Sequence, residues 1–348
     1  MSSVFNNTTR KKSTDPSYAI NDTGDNITEQ GLSRNENFSS FATDIQENKF
    51  ALRDSDEINL DDDDDIKFDQ EAFKRASQHE SFKAIHKNKR KSTNMTDTIF
   101  QLLEDEDELG TLNFISTHFV DLTKMRNHEG YTLLHVVAYK GLESMCKMLI
   151  QLARDKSLSE YDEKEKQKRM KEWVNAKTND EEFTALHMAA FSGRYAIVSL
   201  LIENKANIFA VNRDGLNMLH TASQGDHAFM LYYFKELGLD INSKDNRGST
   251  PLHWACFSKS EIAISYLLAW NVQIDEADQR GLTPLHLAVK AVNELNTTRP
   301  VRALLISGAS RKKEDLLNRK PIDFIGEVED PKLQNELKEI LRNPSSCS

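Results

Sequence analysis

Asp245-Asn-Arg-Gly-Ser-Thr-Pro-Leu-His-Trp-Ala255 is followed, one period later, by Asp278-Gln-Arg-Gly-Leu-Thr-Pro-Leu-His-Leu-Ala288. Working outward, the same pattern occurs at Thr132-Leu-Leu-His135, Thr184-Ala-Leu-His187 and Asn217-Met-Leu-His220. The histidines His187, His220, His253 and His286 are therefore evenly spaced, and only the step from His135 to His187 is longer. The longer step is one period plus a surplus that coincides with a charged stretch near 153–172, as in Glu163-Lys-Glu-Lys-Gln-Lys-Arg169. A degenerate sixth copy, Lys320-Pro-Ile-Asp323, lies slightly more than one period after the fifth, with the extra residues near Asn293 to Thr298.

Elementary helix chemistry explains the repeat. Thr or Asn at its head caps a helix by accepting from an orphan backbone N–H. Pro251 and Pro284 fall in the first turn, where a missing donor costs nothing. Leucines and the small Ala189, Ala222, Ala255 and Ala288 face the interior. A second apolar block follows each time: Ile197-Val198-Leu200-Leu201, Phe229-Met230-Leu231, Ile264-Tyr266-Leu267-Leu268 and Val301-Leu304-Leu305. Such a helix pair is too small to bury its own apolar face, so it must stack on its neighbours.

Period and motif together resemble the ankyrin-repeat family, whose signature is T-P-L-H-x-A at a period of about 33 residues. Gly130, Gly215, Gly248 and Gly281, two positions before each Thr/Asn, extend the likeness. Glu182 takes the glycine's place in the second copy, which predicts a distorted loop tip there. The expected fold is an all-α ankyrin-repeat solenoid of helix pairs with hairpin loops over residues 95–342. Ile99 to Ile115 read as an opening cap and Pro321 to Leu341 as a closing one. The insertion near 153–172 reads as a charged helical extension projecting from the outer edge.

The 348 residues carry a net charge of −10, with 29% charged and only 38% hydrophobic residues, too polar for a chain globular throughout. Residues 1–94 have scattered apolar side chains and read as a disordered polar tail, and residues 343–348 as a short C-terminal tail. The first tail holds an acidic run, Asp61 to Asp65, a basic run, Lys87-Asn-Lys-Arg-Lys91, and between them Phe68, Phe73, Phe82 and Ile85. The acidic run lacks the ligand spacing of a calcium loop. No stretch approaches the ~20 apolar residues of a membrane span. Cys146, Cys256 and Cys347 are too far apart for a disulfide framework, which fits a reducing, cytoplasmic setting.

No nucleotide, nucleophile-elbow or metal motif occurs, and histidines on successive repeats are spaced too widely to converge on one ion. Each is read instead as a structural residue bonding backbone groups through both ring nitrogens. No cofactor and no catalytic residue is expected, so function falls to the surface. In the resembling family, partners contact the hairpin tips and the exposed positions of the inner helices. Carried onto this chain, the resemblance implies a concave strip of solvent-facing Tyr131, Tyr139, Phe183, Phe191 and Phe257, with Arg213, Arg247 and Arg280 at the tips. The expected partners are other proteins, with neither nucleic acid nor membrane insertion involved, and the protein is expected to be a monomer.

A narrower resemblance rests on Asp245 to Ala255, Thr298-Arg-Pro-Val-Arg-Ala-Leu-Leu305 and Arg319-Lys-Pro-Ile-Asp323. These look like the cytosolic ankyrin region of membrane-bound DHHC-type protein S-acyltransferases. That resemblance implies a substrate-recruiting region at the cytosolic face of an internal membrane. This chain has no Asp-His-His-Cys, so such a region would be the recruiting part without the catalytic one.

Overall fold

The computed structural model describes residues 95–118 and 121–342; both expected tails, with the acidic and basic runs and Cys347, lie outside them. Among the described residues every regular element is helical. The chain opens with α1 (Met95–Glu104) and α2 (Glu108–Thr117), then α3 (Leu133–Lys140) and α4 (Glu143–Leu152). A π-helical turn, Ala153–Ser157, leads to α5 (Glu163–Val174). The pairs α6 (Ala185–Phe191) with α7 (Tyr195–Glu203), α8 (Met218–Gln224) with α9 (Ala228–Glu236), and α10 (Pro251–Phe257) with α11 (Glu261–Ala269) repeat the plan. After α12 (Pro284–Lys290), the extra residues of the next interval form a single turn, α13 (Val292–Leu295), before α14 (Arg299–Ile306). A 3-10 segment (Pro321–Glu327) and α15 (Pro331–Arg342) close the array.

Helices α1, α3, α6, α8, α10, α12 and the 3-10 segment each pack on the next, forming an inner layer. Outer helices touch along the same direction at α4–α7, α9–α11 and α11–α14. The motif leucines Leu186, Leu219, Leu252 and Leu285 are enclosed, as are Ala189, Ala222, Ala255 and Ala288, whose methyl groups let adjacent helices close on each other.

What joins repeat to repeat is one side chain. His135 Nδ1 accepts from the Thr132 backbone N–H at 3.1 Å and lies 2.8 Å from the Thr132 hydroxyl, while Nε2 donates to the Phe183 carbonyl at 2.9 Å. Because a backbone N–H only donates and a carbonyl only accepts, the geometry fixes the Nε2–H tautomer. The unit recurs: His187 reaches Leu216 O at 3.1 Å, His220 reaches Ser249 O at 3.1 Å, His253 reaches Leu282 O at 3.1 Å and His286 reaches Arg319 O at 3.2 Å. In the sixth copy Asp323 Oδ2 accepts from Lys320 N at 2.7 Å, which keeps the capping half of the device.

The loops between repeats form a second ladder. Asn179 N donates to Glu129 O, Arg213 N to Glu181 O, Asn246 N to Asp214 O, Gln279 N to Arg247 O and Leu316 N to Arg280 O, at 2.9–3.0 Å. The tip at Glu182 departs from the other loops, as its missing glycine predicts. This tip gains one residue, its closing bond running from Thr178 N to Phe183 O where the first loop has Asn127 N to Tyr131 O. Glu182 itself takes the glycine's left-handed conformation, with φ +55° beside +83° at Gly130 and +80° at Gly215. The inserted segment is corrected. Although α5 is charged, Leu158, Met170, Trp173 and Val174 are buried, so the segment is anchored against the array instead of projecting from it.

Two predictions follow from these bonds. Burial holds the imidazoles of His135, His220 and His253 down at about 4 and that of His187 at about 3, and it lowers His286 as well. The unfolded chain binds these protons first, near pH 6.5, so their stabilisation is complete above that pH and is lost as pH falls toward 4. The stability should drop by up to ~1.4 kcal/mol per pH unit for each such histidine. A thermal midpoint level from pH 7 to 5 would contradict this. Glu182→Gly, by relieving a left-handed L-residue, should raise stability by about 0.5 kcal/mol despite glycine's entropy, read as a small rise in Tm.

Candidate functional site

The fourth residue after each motif histidine stands at one register on successive inner helices: Tyr139 on α3, Phe191 on α6, Gln224 on α8, Phe257 on α10 and Lys290 on α12. All five are half-buried, with part of each side chain open to solvent. The Tyr139 and Phe191 rings are stacked, with centroids 6.5 Å apart and planes 22° apart, while Phe257 lies edge-on to Trp254 at 6.1 Å. Lys290 extends over the Phe324 ring at 5.0 Å and lies 3.7 Å from Glu327. Burial lowers its ammonium pKa, opposed by Glu327 and aided by the charges of Arg319 and Arg280.

Tyr131 and Phe183 do not belong to this strip. Their expected solvent exposure is overturned: they are 4% and 8% exposed. Phe183's carbonyl is held by His135, which draws the residue into the seam between repeats. Both rings then pack edge-on against the histidine of their own repeat, at 5.8 Å for Tyr131–His135 and 5.7 Å for Phe183–His187. They are core residues.

Two of the three tip arginines brace the loops. Arg213 Nη2 donates to Asn179 O at 3.0 Å, linking successive tips. The Arg280 guanidinium donates to the buried Asp278 carboxylate at 2.8 Å, as Arg319 does to Asp315 at 2.7 Å. Arg247 is half-buried; in its loop the equivalent carboxylate, Asp245, instead accepts from Trp254 Nε1 at 2.8 Å. Asp278 and Asp315 are covered by their arginines, whose outer edges remain exposed, so at this end of the tip row each guanidinium is paired with a buried carboxylate. The opposite end is acidic. Burial and the nearby Asp180 raise the Glu129 carboxyl, and Glu129, Glu181 and Asp180 all act on the Tyr131 phenol, which burial has already raised.

A second exposed group escaped the sequence reading, which grouped Phe229 and Tyr266 with the apolar block of their helices. They are 55% and 48% exposed. Helical periodicity turns Met230, Leu231 and Phe234 inward and Phe229, Tyr232 and Tyr233 away from the core. Tyr195 meets Phe229 and Tyr233 edge-on at 5.1 and 5.2 Å, and Ile262 is exposed one period beyond Phe229. Plotting each outer helix at about 100° per residue would have separated these positions.

Among the described residues no group of three or more His, Cys, Asp or Glu is placed to hold a metal ion, and no helix is long and apolar enough to cross a membrane. Cys146 is enclosed, its thiol pushed up to about 12 by burial, and Cys256 is raised by burial as well, which makes both packing residues.

The family model for ankyrin repeats (3 copies) matches residues 91–212, 161–245 and 219–315. The human Ankyrin repeat domain-containing protein 53 is 34% identical over 80 residues, 22% of this chain and 15% of that protein. The Notch-regulated ankyrin repeat-containing protein of Xenopus tropicalis is 35% identical over 75 residues, covering 20% of this chain and 66% of that one. Its Xenopus laevis counterpart is 40% identical over 50 residues, covering 14% and 44%. The chain spans less than two thirds of the length of each of these relatives.

Alanine in place of Tyr131 or Phe183 should cost about 3 kcal/mol in chemical denaturation, as for other buried rings. The same change at Phe191 or Tyr139 should cost under about 1 kcal/mol. Equal costs at the two sets would contradict the division into seam and surface.

Proposed function

From the premise that this chain belongs to the ankyrin-repeat family, we propose that it is a non-catalytic scaffold that binds a protein partner along its inner-helix face and loop tips. One observation carries the reading. Tyr139, Phe191 and Phe257 sit at one register of successive inner helices and keep part of each ring open to solvent. Rings held by a rigid backbone give up little entropy when a partner covers them, and such side chains dominate binding energy where they are desolvated. Arg213, Arg247 and Arg280 border the strip and supply polar contacts at its rim. The scaffold acts as a cytosolic monomer, a placement supported by enclosed, unpaired thiols at Cys146 and Cys256.

A second reading, substrate recruitment for a membrane acyltransferase, is supported by the run Asp245 to Ala255 and the two segments that accompany it. Transcript sequence encoding apolar spans and an Asp-His-His-Cys motif in the same reading frame would decide for it.

The double variant Tyr139→Ala, Phe191→Ala tests the first reading. Its Tm should stay within a few degrees of the parent, while capture of partners from a lysate, compared side by side by quantitative mass spectrometry, should fall at least about tenfold, since two such anchors are worth ~2 kcal/mol or more. Equal capture by the two proteins would move the interface away from this face.

A further inference from the structure

We propose that the outer face of α7, α9 and α11 joins two copies of this chain, each contributing the same patch about a two-fold axis. The inference goes beyond the scaffold reading. The patch lies on the outer helices, so the inner-helix faces of both copies stay open, and the monomer of that reading is the dissociated form of the pair.

Three neighbouring helices carry the patch. Tyr195 on α7, Phe229 and Tyr232 on α9, and Ile262 and Tyr266 on α11 are each 45–55% exposed. Ring contacts make the surface continuous. Tyr195 touches both Phe229 and Tyr233, which stack on each other at 6.4 Å. Tyr266 lies edge-on to Trp270 at 5.9 Å, and Lys235 of α9 reaches over the Trp270 ring at 5.6 Å. No charged residue occurs at 195–202, 228–234 or 262–269.

The flanking outer helices differ at the same register. Allowing for the extra residues before α14, Tyr232 corresponds to Lys147 on α4 and to Arg302 on α14, and Phe229 corresponds to Arg299. Each of these cations has a carboxylate beside it: Glu143 for Lys147, Glu336 for Arg302 and Glu261 for Arg299. Stacking therefore accepts a charge at these positions, and the three middle helices carry rings there instead. An uncharged aromatic centre inside a rim of paired charges has the composition of a protein interface.

Area and charge select a second copy as the occupant. Four rings of ~200 Å² each, about half exposed, offer with Ile262 about 500 Å². A standard interface takes about 800 Å² from each partner, about two thirds of it apolar where the partners are identical. The patch thus supplies the apolar share of one side, and an identical patch meets it without burying an unpaired charge. An anionic lipid surface would instead face a chain of net charge −10 with no cluster of cations at the patch.

Sedimentation of the full-length protein over a dilution series tests this. The mass should approach two chains at ~200 µM and fall toward one on dilution. Because each copy carries a net charge of −10, ~0.5 M salt should shift the series toward the pair. Dissociation by salt would mark a contact held by charge and would overturn the proposal. Tyr232→Lys and Phe229→Arg give α9 the cations that α4 and α14 already carry. Their Tm should stay within a few degrees of the parent's, while the concentration for half-association rises at least about tenfold. Monomers at every concentration overturn the proposal, whether the patch is then open, shielded from tyrosine iodination by another part of the chain, or bound to anionic vesicles. A dimer that both variants leave unchanged overturns it as well. The inner-helix reading stands apart from these results, since the capture experiment alone decides it.

Discussion

A neutral imidazole offers one lone pair and one N–H on opposite sides of a rigid ring, and the stack depends on that pairing of functions. In each of five repeats the lone pair closes the first turn of an inner helix while the N–H reaches the next repeat, as when His253 spans from Thr250 N to Leu282 O. A hydroxyl or a carboxylate could do the first task but would not reach the second. The sixth copy shows the two tasks separated: Asp323 caps its own turn through Lys320 N. A protonated ring would lose the lone pair, and burial disfavours that charge, so one constraint protects both helix cap and inter-repeat bond.

The carbonyl that each histidine takes is itself held in place. Ser249 accepts from His220 through its carbonyl while its N–H donates to Asp245 Oδ1 at 2.8 Å. Leu282 is bracketed in the same way by His253 and Asp278, and Leu216 by His187 and Asn212. In the second loop Thr178 takes the role, its hydroxyl accepting from Phe183 N at 3.0 Å. The loop tip is therefore shaped before the histidine reaches it, and the tips join one another through their own backbone ladder. The backbone groups at these tips are thus satisfied in pairs, which suits an array whose repeats touch only their neighbours.

The period, the caps and the enclosed Leu and Ala positions were legible because they recur at fixed spacing, and recurrence separates signal from local accident. Burial of Tyr131 and Phe183 was not. Phe183 is turned into the seam by its carbonyl's bond to His135 of the preceding repeat, and Tyr131 packs on the His135 ring, tertiary contacts that no local pattern encodes. Glu182 marked an altered tip, though not the form the alteration takes. A missing glycine signals strain, but the second loop absorbs it with one extra residue and a single left-handed side chain. Phe229 and Tyr266 were grouped with an apolar block by composition, where angular position on the helix decides exposure.

Within each repeat, then, the positions that hold the stack and the positions that face outward are different sets, with opposite kinds of variation. Thr or Asn, Leu, His and Ala keep their identity from copy to copy because each closes a bond or fills a gap set by the neighbouring repeat. Four positions beyond the histidine the register is just as fixed, yet the side chains are Tyr139, Phe191, Gln224, Phe257 and Lys290. Nothing in the stacking geometry demands any of these at that position. A scaffold that fixes where side chains stand while leaving their chemistry open suits recognition of an extended partner, one repeat at a time. Catalysis asks for the reverse, since reactive groups must converge on a single point. On this array the outward positions are displaced from one another by a helix-packing distance, which spreads contacts along a line.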